Sequence, residues 1–272
     1  MHSNQPIGIL DSGLGGLTVV KEIIKQLPNE QLIYVGDTAR CPYGPRTAAE
    51  VQQFTFEIVD FLLGQDVKAI VIACNTATAH ALTAVREYVD IPVIGVIRPG
   101  SIAAAEATET GVIGVIGTVG TIKSEAYQDA LKAINADYRV VGLAAPTLVE
   151  IAEQEHLYSE KEKQQIVTSE LAPLSEHQLD ALILGCTHYP LLTKYIREAV
   201  GSDIKLISSA EETAKQLASI LADLGMLNAE SDNKNKGNNY YTTGDPALFK
   251  QIGEKWLGEE LVVKHIQLDA IK

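Results

Sequence analysis

Two stretches of this chain read alike, Ala69-Ile-Val-Ile-Ala-Cys-Asn-Thr76 and Ala181-Leu-Ile-Leu-Gly-Cys-Thr-His188. Each is a short aliphatic run that ends in a cysteine followed by hydrogen-bonding side chains. A fully apolar run of this length is typical of a parallel strand buried on both faces, and ligands of open α/β sheets bind at the carboxyl ends of such strands. We therefore predict that Cys74 and Cys186 are site residues on opposite sides of one crevice. A buried cysteine that only fills the core is the plainer interpretation of either one alone.

Predicted strands alternate with predicted helices along most of the chain. Apolar side chains recur at helical spacing between the strands, for example Leu17, Val20 and Ile24. This alternation predicts an α/β fold with mainly parallel sheets and helices on both faces. The predicted strands are residues 7–10, 32–35, 69–73, 93–97, 112–116, 138–143, 181–184 and 204–207.

The series also repeats once. Ile7-Gly-Ile-Leu-Asp-Ser-Gly13 resembles Ile113-Gly-Val-Ile-Gly-Thr-Val119, and a cysteine-bearing strand follows each of them roughly 70 residues later. The repeat predicts two similar three-layer α/β domains that face each other across a cleft. We expect residues 1–98 plus 208–272 to form the first, discontinuous domain and residues 99–207 to form the second.

The crossings between the domains are predicted from local composition. Ile97-Arg-Pro-Gly100 is a Pro/Gly break after a strand, and residues 228–239 form a polar loop. The short elements after that loop are expected to complete the first domain. The acidic run from Glu150 to Glu162 is interpreted as a solvated helix face.

Composition excludes several classes of function. The net charge of −13 argues against nucleic acid as the main partner, and no apolar run approaches the roughly 20 residues of a membrane helix. Residues 1–6 are polar and predict no signal peptide, and the chain has only three cysteines. We therefore expect reduced thiols and a cytoplasmic protein.

Two cofactor hypotheses remain weaker than a cofactor-free site. Asp11, Cys74, Cys186 and His188 could surround zinc, but the close cysteine spacings of structural zinc sites do not occur. Gly13-x-Gly15 begins like a dinucleotide-binding turn, and Asp37 stands where a ribose-binding acid would. The third glycine of that pattern is replaced by Thr18, and Asp11 places a negative charge near the pyrophosphate position. We expect neither a metal nor an organic cofactor.

The predicted strand ends carry many neutral hydrogen-bond donors. Such a set suits a small ligand with carboxylate groups held by local donors in a shielded pocket. The candidates for substrate contact are Asp11, Ser12, Tyr43, Gly44, Asn75, Thr76, Thr118, Thr121, Thr187 and His188. Taken singly, a threonine or asparagine among them is more often a helix cap than a ligand contact.

An ordered set of motifs spanning nearly the whole chain resembles those of bacterial glutamate racemases. The motifs are Asp11-Ser-Gly-Leu-Gly-Gly16, Gly36-Asp-x-Ala-Arg-x-Pro-Tyr-Gly44, Ala73-Cys-Asn-Thr-Ala77, Ile97-x-Pro-Gly100, Ile116-Gly-Thr118 with Thr121, and Gly185-Cys-Thr-His-Tyr-Pro190. The resemblance implies cofactor-independent interconversion of L- and D-glutamate, which supplies D-glutamate for peptidoglycan. It also implies an active site between two α/β domains and a homodimer.

The resemblance further implies a role for individual residues. Cys74 and Cys186 match the two acid/base thiols, with Cys74 acting on the D-isomer and Cys186 on the L-isomer. Asp11, His188 and Glu153 match the groups that assist them. Glu150 stands where the family pattern has a proline. Either Glu150 or Glu153 could therefore align with the assisting glutamate of the family, and Glu153 is our choice.

Two other functions stay open on the sequence. An aspartate or hydantoin racemase would share the paired cysteines but not the full set of turn motifs. A non-catalytic binding module for small molecules would need neither thiol.

Overall fold

Strands and helices alternate through the computed structural model, which describes residues 3–228 and 237–268. The strands are β1 (Ile7–Asp11), β2 (Leu32–Gly36), β3 (Ala69–Ile72), β4 (Val93–Gly95), β5 (Val112–Gly117), β6 (Arg139–Ala144), β7 (Ala181–Gly185), β8 (Lys205–Ser208), β9 (Asn239–Thr242) and β10 (Val263–His265). The helices are α1 (Leu17–Gln26), α2 (Ala48–Leu63), α3 (Asn75–Tyr88), α4 (Ile97–Ala107), α5 (Val119–Lys123), α6 (Ala126–Ile134), α7 (Thr147–Glu153), α8 (Glu160–Leu171), α9 (Thr193–Val200), α10 (Ser209–Asp223) and α11 (Pro246–Leu257). None of the helices in these described ranges is long and apolar enough to cross a membrane.

The chain divides into two compact units, residues 1–96 with 210–272 and residues 97–209. The first unit holds a six-stranded sheet in the order β10-β9-β2-β1-β3-β4, and the second holds a four-stranded sheet in the order β6-β5-β7-β8. Every strand pair in both sheets is parallel. The predicted α/β fold with parallel sheets is confirmed. The order β2-β1-β3-β4 recurs as β6-β5-β7-β8, which is the structural form of the sequence repeat.

The central strands of the first unit are apolar up to their carboxyl ends because both of their faces are covered. Ile9 of β1 belongs to a buried cluster with Leu17 of α1 and Leu217 of α10. The next residue, Leu10, belongs to a second cluster with Ile58 of α2. Successive side chains of a strand point to opposite faces of the sheet, so a strand between two helical layers has no polar position. In the second unit, β5 and β7 pack in the same way against α7, α8 and α9 on one face.

Strand order decides where side chains can gather at the edge of each sheet. From β1 the chain runs to β2 on one side and then to β3 on the other, so the connections leave in opposite directions at β1 and β3. A crevice forms outside the carboxyl ends of strands at such a switch point. The equivalent point in the second unit lies at β5 and β7. Most of the predicted site residues follow these four strands, whereas Tyr43 and Gly44 follow β2 and Glu153 ends α7.

Two local predictions are wrong. Residues 97–100 were expected to be a break, but Ile97 begins helix α4 and Pro99 lies in its first turn. Proline is tolerated there because the first N–H groups of a helix have no partner within the helix. The run from Glu150 to Glu162 is not one helix face, because α7 ends at Glu153 and α8 begins only at Glu160. The predicted polar loop over 228–239 lies for the most part outside the described residues.

Candidate active site

The turn after β1 is built around the carboxylate of Asp11. Asp11 is fully buried, and its Oδ2 accepts a hydrogen bond from the N–H of Gly13 at 2.9 Å. A Cβ on Gly16 would lie 2.6 Å from the Cβ of Asp11, so only glycine lets the start of α1 approach this side chain. Helix α1 begins at Leu17 with Gly16 as its N-cap, so Ser12 does not cap this helix. Ser12 is thereby left beside Cys74.

Cys74 stands at the junction of β3 and α3, in an extended conformation at the N-cap of the helix. Its Sγ accepts a hydrogen bond from the N–H of Ala77 at 3.4 Å and lies 3.6 Å from Oγ of Ser12. The positive end of the helix dipole and a backbone donor both favour the thiolate form of a cysteine. Asn75 and Thr76 occupy the first turn of α3 and are buried with Cys74. The strand end therefore presents a thiol that can hold a negative charge.

The loop between β2 and α2 places Tyr43 differently from the expectation. The Tyr43 ring is buried, and its hydroxyl donates to Oδ2 of Asp37 at 2.5 Å. Burial, followed by the negative charge of Asp37, raises the pKa of Tyr43 far above its usual value. A phenol has one proton to donate, and here that proton is used within the protein. The donors that Tyr43 and Gly44 can still offer to a ligand are therefore their backbone N–H groups.

In the second unit the site is a chain of three side chains. Cys186 follows β7, and its Sγ lies 3.7 Å from Nδ1 of His188. The other ring nitrogen, Nε2, lies 2.9 Å from Oε1 of Glu153 at the end of α7. Burial by itself lowers the pKa of His188, but hydrogen bonds to Cys186 and Glu153 outweigh it and raise the pKa to about 10. At neutral pH the ring is an imidazolium that donates to both neighbours.

The same geometry separates the two rival glutamates. Glu150 is exposed and accepts a hydrogen bond from the hydroxyl of Tyr158 at 3.4 Å. Glu153 lies one turn further along α7 and contacts His188. Only Glu153 is placed to influence Cys186 through the imidazole.

Thr118 and Thr121 lie at the carboxyl end of β5, beside the β7 strand that delivers Cys186. The Thr118 hydroxyl caps α5 by accepting the N–H of Thr121 at 3.2 Å, and it bonds the Thr121 hydroxyl at 3.1 Å. Thr118 therefore has a capping role in addition to any contact with a ligand, and Thr121 is the partner that it caps. Thr187 is buried next to Cys186.

Sequence reasoning missed three residues that shape these clusters. The Tyr34 hydroxyl donates to the carbonyl of Gly13 at 2.8 Å, beneath the turn of Asp11. The Tyr189 hydroxyl donates to the carbonyl of Ala145 at 2.7 Å, which ties the segment after Cys186 to the start of α7. Thr243 bonds Asp37. Tyr189 was part of a quoted motif, whereas nothing in the local sequence distinguishes Thr243.

Within residues 3–228 and 237–268, no group of three or more His, Cys, Asp or Glu side chains is arranged to hold a metal ion. The zinc hypothesis for Asp11, Cys74, Cys186 and His188 gains no support from this part of the chain.

Comparison with known proteins identifies the class. Residues 7–217 match the Asp/Glu/hydantoin racemase family. The chain is 48% identical over 265 residues to the glutamate racemase of Streptococcus agalactiae, covering 97% of this chain and 99% of the relative. It is also similar to the crystal structure of a glutamate racemase from Bacillus anthracis, with a TM-score of 0.93 and 48% identity over 98% of this chain and 99% of that one.

A third relative carries a ligand. The crystal structure of the Francisella tularensis glutamate racemase in complex with D-glutamate has a TM-score of 0.91 and 36% identity, covering 99% of this chain and 100% of that one. The chain therefore belongs to the Asp/Glu/hydantoin racemase family, and the relatives it matches over nearly its full length are glutamate racemases.

Proposed function

We propose that this protein interconverts L- and D-glutamate without a cofactor, by proton transfer at Cα, and thereby supplies D-glutamate for peptidoglycan. One observation carries the proposal. Cys74 and Cys186 end topologically equivalent strands, and each has its own groups for handling a proton. A binding module for carboxylates would need neither thiol. Full-length similarity to glutamate racemases supports glutamate as the substrate.

The reaction needs two groups of equal character on opposite faces of the α-carbon. In the L-to-D direction the Cys186 thiolate removes the α-proton and becomes a thiol. The Cys74 thiol gives its proton to the other face of the carbanion and becomes a thiolate. The reverse reaction uses the same steps with the roles of the two cysteines exchanged. After one L-to-D turnover, both cysteines regain their starting protonation states by proton exchange with solvent.

The surroundings of each thiol suit its role as a base in one direction and an acid in the other. The helix α3 N-terminus favours a negative charge on Cys74, and Sγ of Cys186 lies 3.7 Å from Nδ1 of the His188 imidazolium. Asp11 and Glu153 are the carboxylates that assist the two sides. With a net charge of −13 the protein does not attract an anion over long range, so glutamate must be held by local donors. Buried Asn75, Thr76 and Thr187 are suited to that task.

The remaining parts of the proposal follow the family resemblance. The two units correspond to the two domains of the enzyme, the active protein is a homodimer, and it acts in the cytoplasm on a small-molecule substrate. Light scattering of the purified protein tests the dimer directly, since a dimer has twice the 29.3 kDa mass of the chain.

A chiral assay on L-glutamate tests the activity. The protein is dialysed exhaustively against chelator and incubated with L-glutamate and no added cofactor, and D-glutamate is measured by chiral chromatography. We expect conversion to an equal mixture of both isomers. L-aspartate and a hydantoin serve as competing substrates. Faster racemisation of either would contradict the choice of glutamate, and activity that returns only with zinc would contradict the cofactor-free mechanism.

A further inference from the structure

One buried carboxylate joins three segments of the first unit. Asp37 follows β2 and is fully buried, and its N–H donates to the carbonyl of Asp11 at 3.0 Å. Its Oδ2 accepts hydrogen bonds from the Tyr43 hydroxyl at 2.5 Å and from Nε of Arg40 at 2.7 Å. Its Oδ1 accepts from the hydroxyl of Thr243 at 2.7 Å. Asp37 therefore links three segments: its N–H binds the turn of Asp11, and its carboxylate binds the loop before α2 and the segment after β9.

The direction of the Thr243 hydrogen bond is fixed by its neighbours. The N–H of Ala39 donates to Oγ1 of Thr243 at 3.1 Å, so this oxygen is already an acceptor on one side. A carboxylate cannot donate, and the hydroxyl proton therefore points at Asp37. Strand β9 pairs in parallel with β2, and the N–H of Thr243 donates to the carbonyl of Gly36 at 3.2 Å. This pairing delivers Thr243 to the carboxyl edge of the sheet, where Asp37 lies.

Arg40 fastens the same loop to helix α2. Its Nη1 donates to the buried carboxylate of Glu57, and its guanidinium carbon lies 4.1 Å from the centre of the Phe54 ring. The Tyr43 ring also packs on Phe54, with ring centres 5.6 Å apart. A planar guanidinium that binds two carboxylates and an aromatic face holds one geometry, which lysine cannot reproduce. The loop is thus held from β9 on one side and from α2 on the other.

We propose that Asp37 and Thr243 are positioning residues for glutamate racemisation, because they fix the loop of Tyr43 and Gly44, which the family resemblance implies to be substrate contacts. The inference rests on the proposed function and deepens it. The Tyr43 hydroxyl donates its one proton to Asp37, so the side chain of Tyr43 anchors the loop. The backbone of Tyr43 and Gly44 is the part that binds the substrate. The segment after β9 thereby influences substrate binding without contacting the substrate.

A pair of substitutions at Thr243 tests the proposal. Thr243→Val keeps the shape of the side chain and removes both hydrogen bonds, while Thr243→Ser restores the hydroxyl. A hydrogen bond to a charged group contributes about 1.5–3 kcal/mol, so we expect Thr243→Val to raise the KM for glutamate about tenfold or more with little change in kcat. Thr243→Ser should recover most of the loss. Thr55→Val is the matched control, since Thr55 is buried in α2 and its hydroxyl donates only to the Val51 carbonyl.

The outcomes separate the inference from the proposed function. Wild-type protein that does not racemise glutamate would overturn the proposed function and this inference with it. Active wild type, together with a Thr243→Val variant whose KM is unchanged, would overturn the inference alone and reduce the network to a structural role. If Thr243→Val does not fold, Arg40→Lys decides, because Arg40 is partly exposed. The same selective rise in KM supports the proposal, and an unchanged KM contradicts it.

Discussion

The carboxylate of Glu153 lies 2.9 Å from Nε2 of His188, on the side of the ring opposite to Cys186. This relationship lets a partly exposed glutamate act on a buried thiol through the imidazole between them. The ring keeps its proton at neutral pH because both neighbours stabilise the charged form, and the pKa of His188 rises to about 10. The thiol of Cys186 therefore faces a fixed positive charge.

Removing the charge of Glu153 should weaken catalysis. We expect Glu153→Gln to lower kcat about ten- to a hundredfold, because a hydrogen bond to a charged group contributes about 1.5–3 kcal/mol and the pKa of His188 falls without it. Glu150→Gln is the matched control on the same helix and should leave turnover near that of wild type. NMR titration of His188 in both variants measures the effect on the ring. An equal loss in the two variants would contradict the assignment.

Each active-site thiol should be indispensable. Cys74→Ser and Cys186→Ser are expected to lose about 100- to 10,000-fold in kcat, the usual cost of a positioned acid or base, with an unchanged circular dichroism spectrum. Near-normal turnover by either variant would exclude the two-thiol mechanism.

Two opposed thiols also predict the origin of the hydrogen at Cα. With protiated L-glutamate in heavy water, the first D-glutamate formed should carry deuterium at Cα, because the donating thiol has exchanged with solvent before substrate binds. Unreacted L-glutamate should remain protiated. Mass spectrometry of the separated isomers at low conversion measures both. Protium in most of the early product would indicate a single base that carries its proton from face to face.

The stability of the second unit should depend on pH through His188. In the unfolded chain the pKa of histidine is near 6.5, and in the folded protein that of His188 is about 10. The raised pKa contributes stability that is fully present below about pH 6.5 and is lost as the pH rises toward 10. The free energy of unfolding, measured by urea from pH 6 to 10, should fall more steeply for wild type than for His188→Asn. Parallel curves would show that the ring is not charged in the folded protein.

Breaking a buried ion pair at the opposite edge of the first unit's sheet should be strongly destabilising. Lys68 and Glu30 are both buried, with Nζ and Oε2 2.6 Å apart, and Nζ also donates to the Met226 carbonyl at 2.8 Å. Lys68→Met leaves the carboxylate uncompensated and should cost about 3–5 kcal/mol of unfolding free energy. Lys25→Met breaks an exposed pair with Glu22 and should cost at most about 1 kcal/mol. Urea denaturation of both variants provides the comparison.

Much of the fold follows from local sequence, and the errors have physical causes. Strands such as 69–72 and 181–184 could be predicted because both of their faces are covered, which removes polar residues from them. The break expected at Ile97 was wrong because proline is as compatible with the first turn of a helix as with a loop. The acidic run after Glu150 was misassigned because composition does not reveal that Glu153 contacts a histidine 35 residues away.

The sequence by itself determined the parallel α/β class, the repeat and the two cysteines at equivalent strand ends, because these depend on hydrophobic pattern and on neighbours in the chain. Tertiary structure decided which partner each polar group takes. It assigned Glu153 to His188, turned the Tyr43 hydroxyl toward Asp37, and brought Thr243 to that carboxylate from 206 residues away. Such partners meet only when strands distant in sequence pair, as β9 does with β2. No local pattern in the chain encodes that meeting.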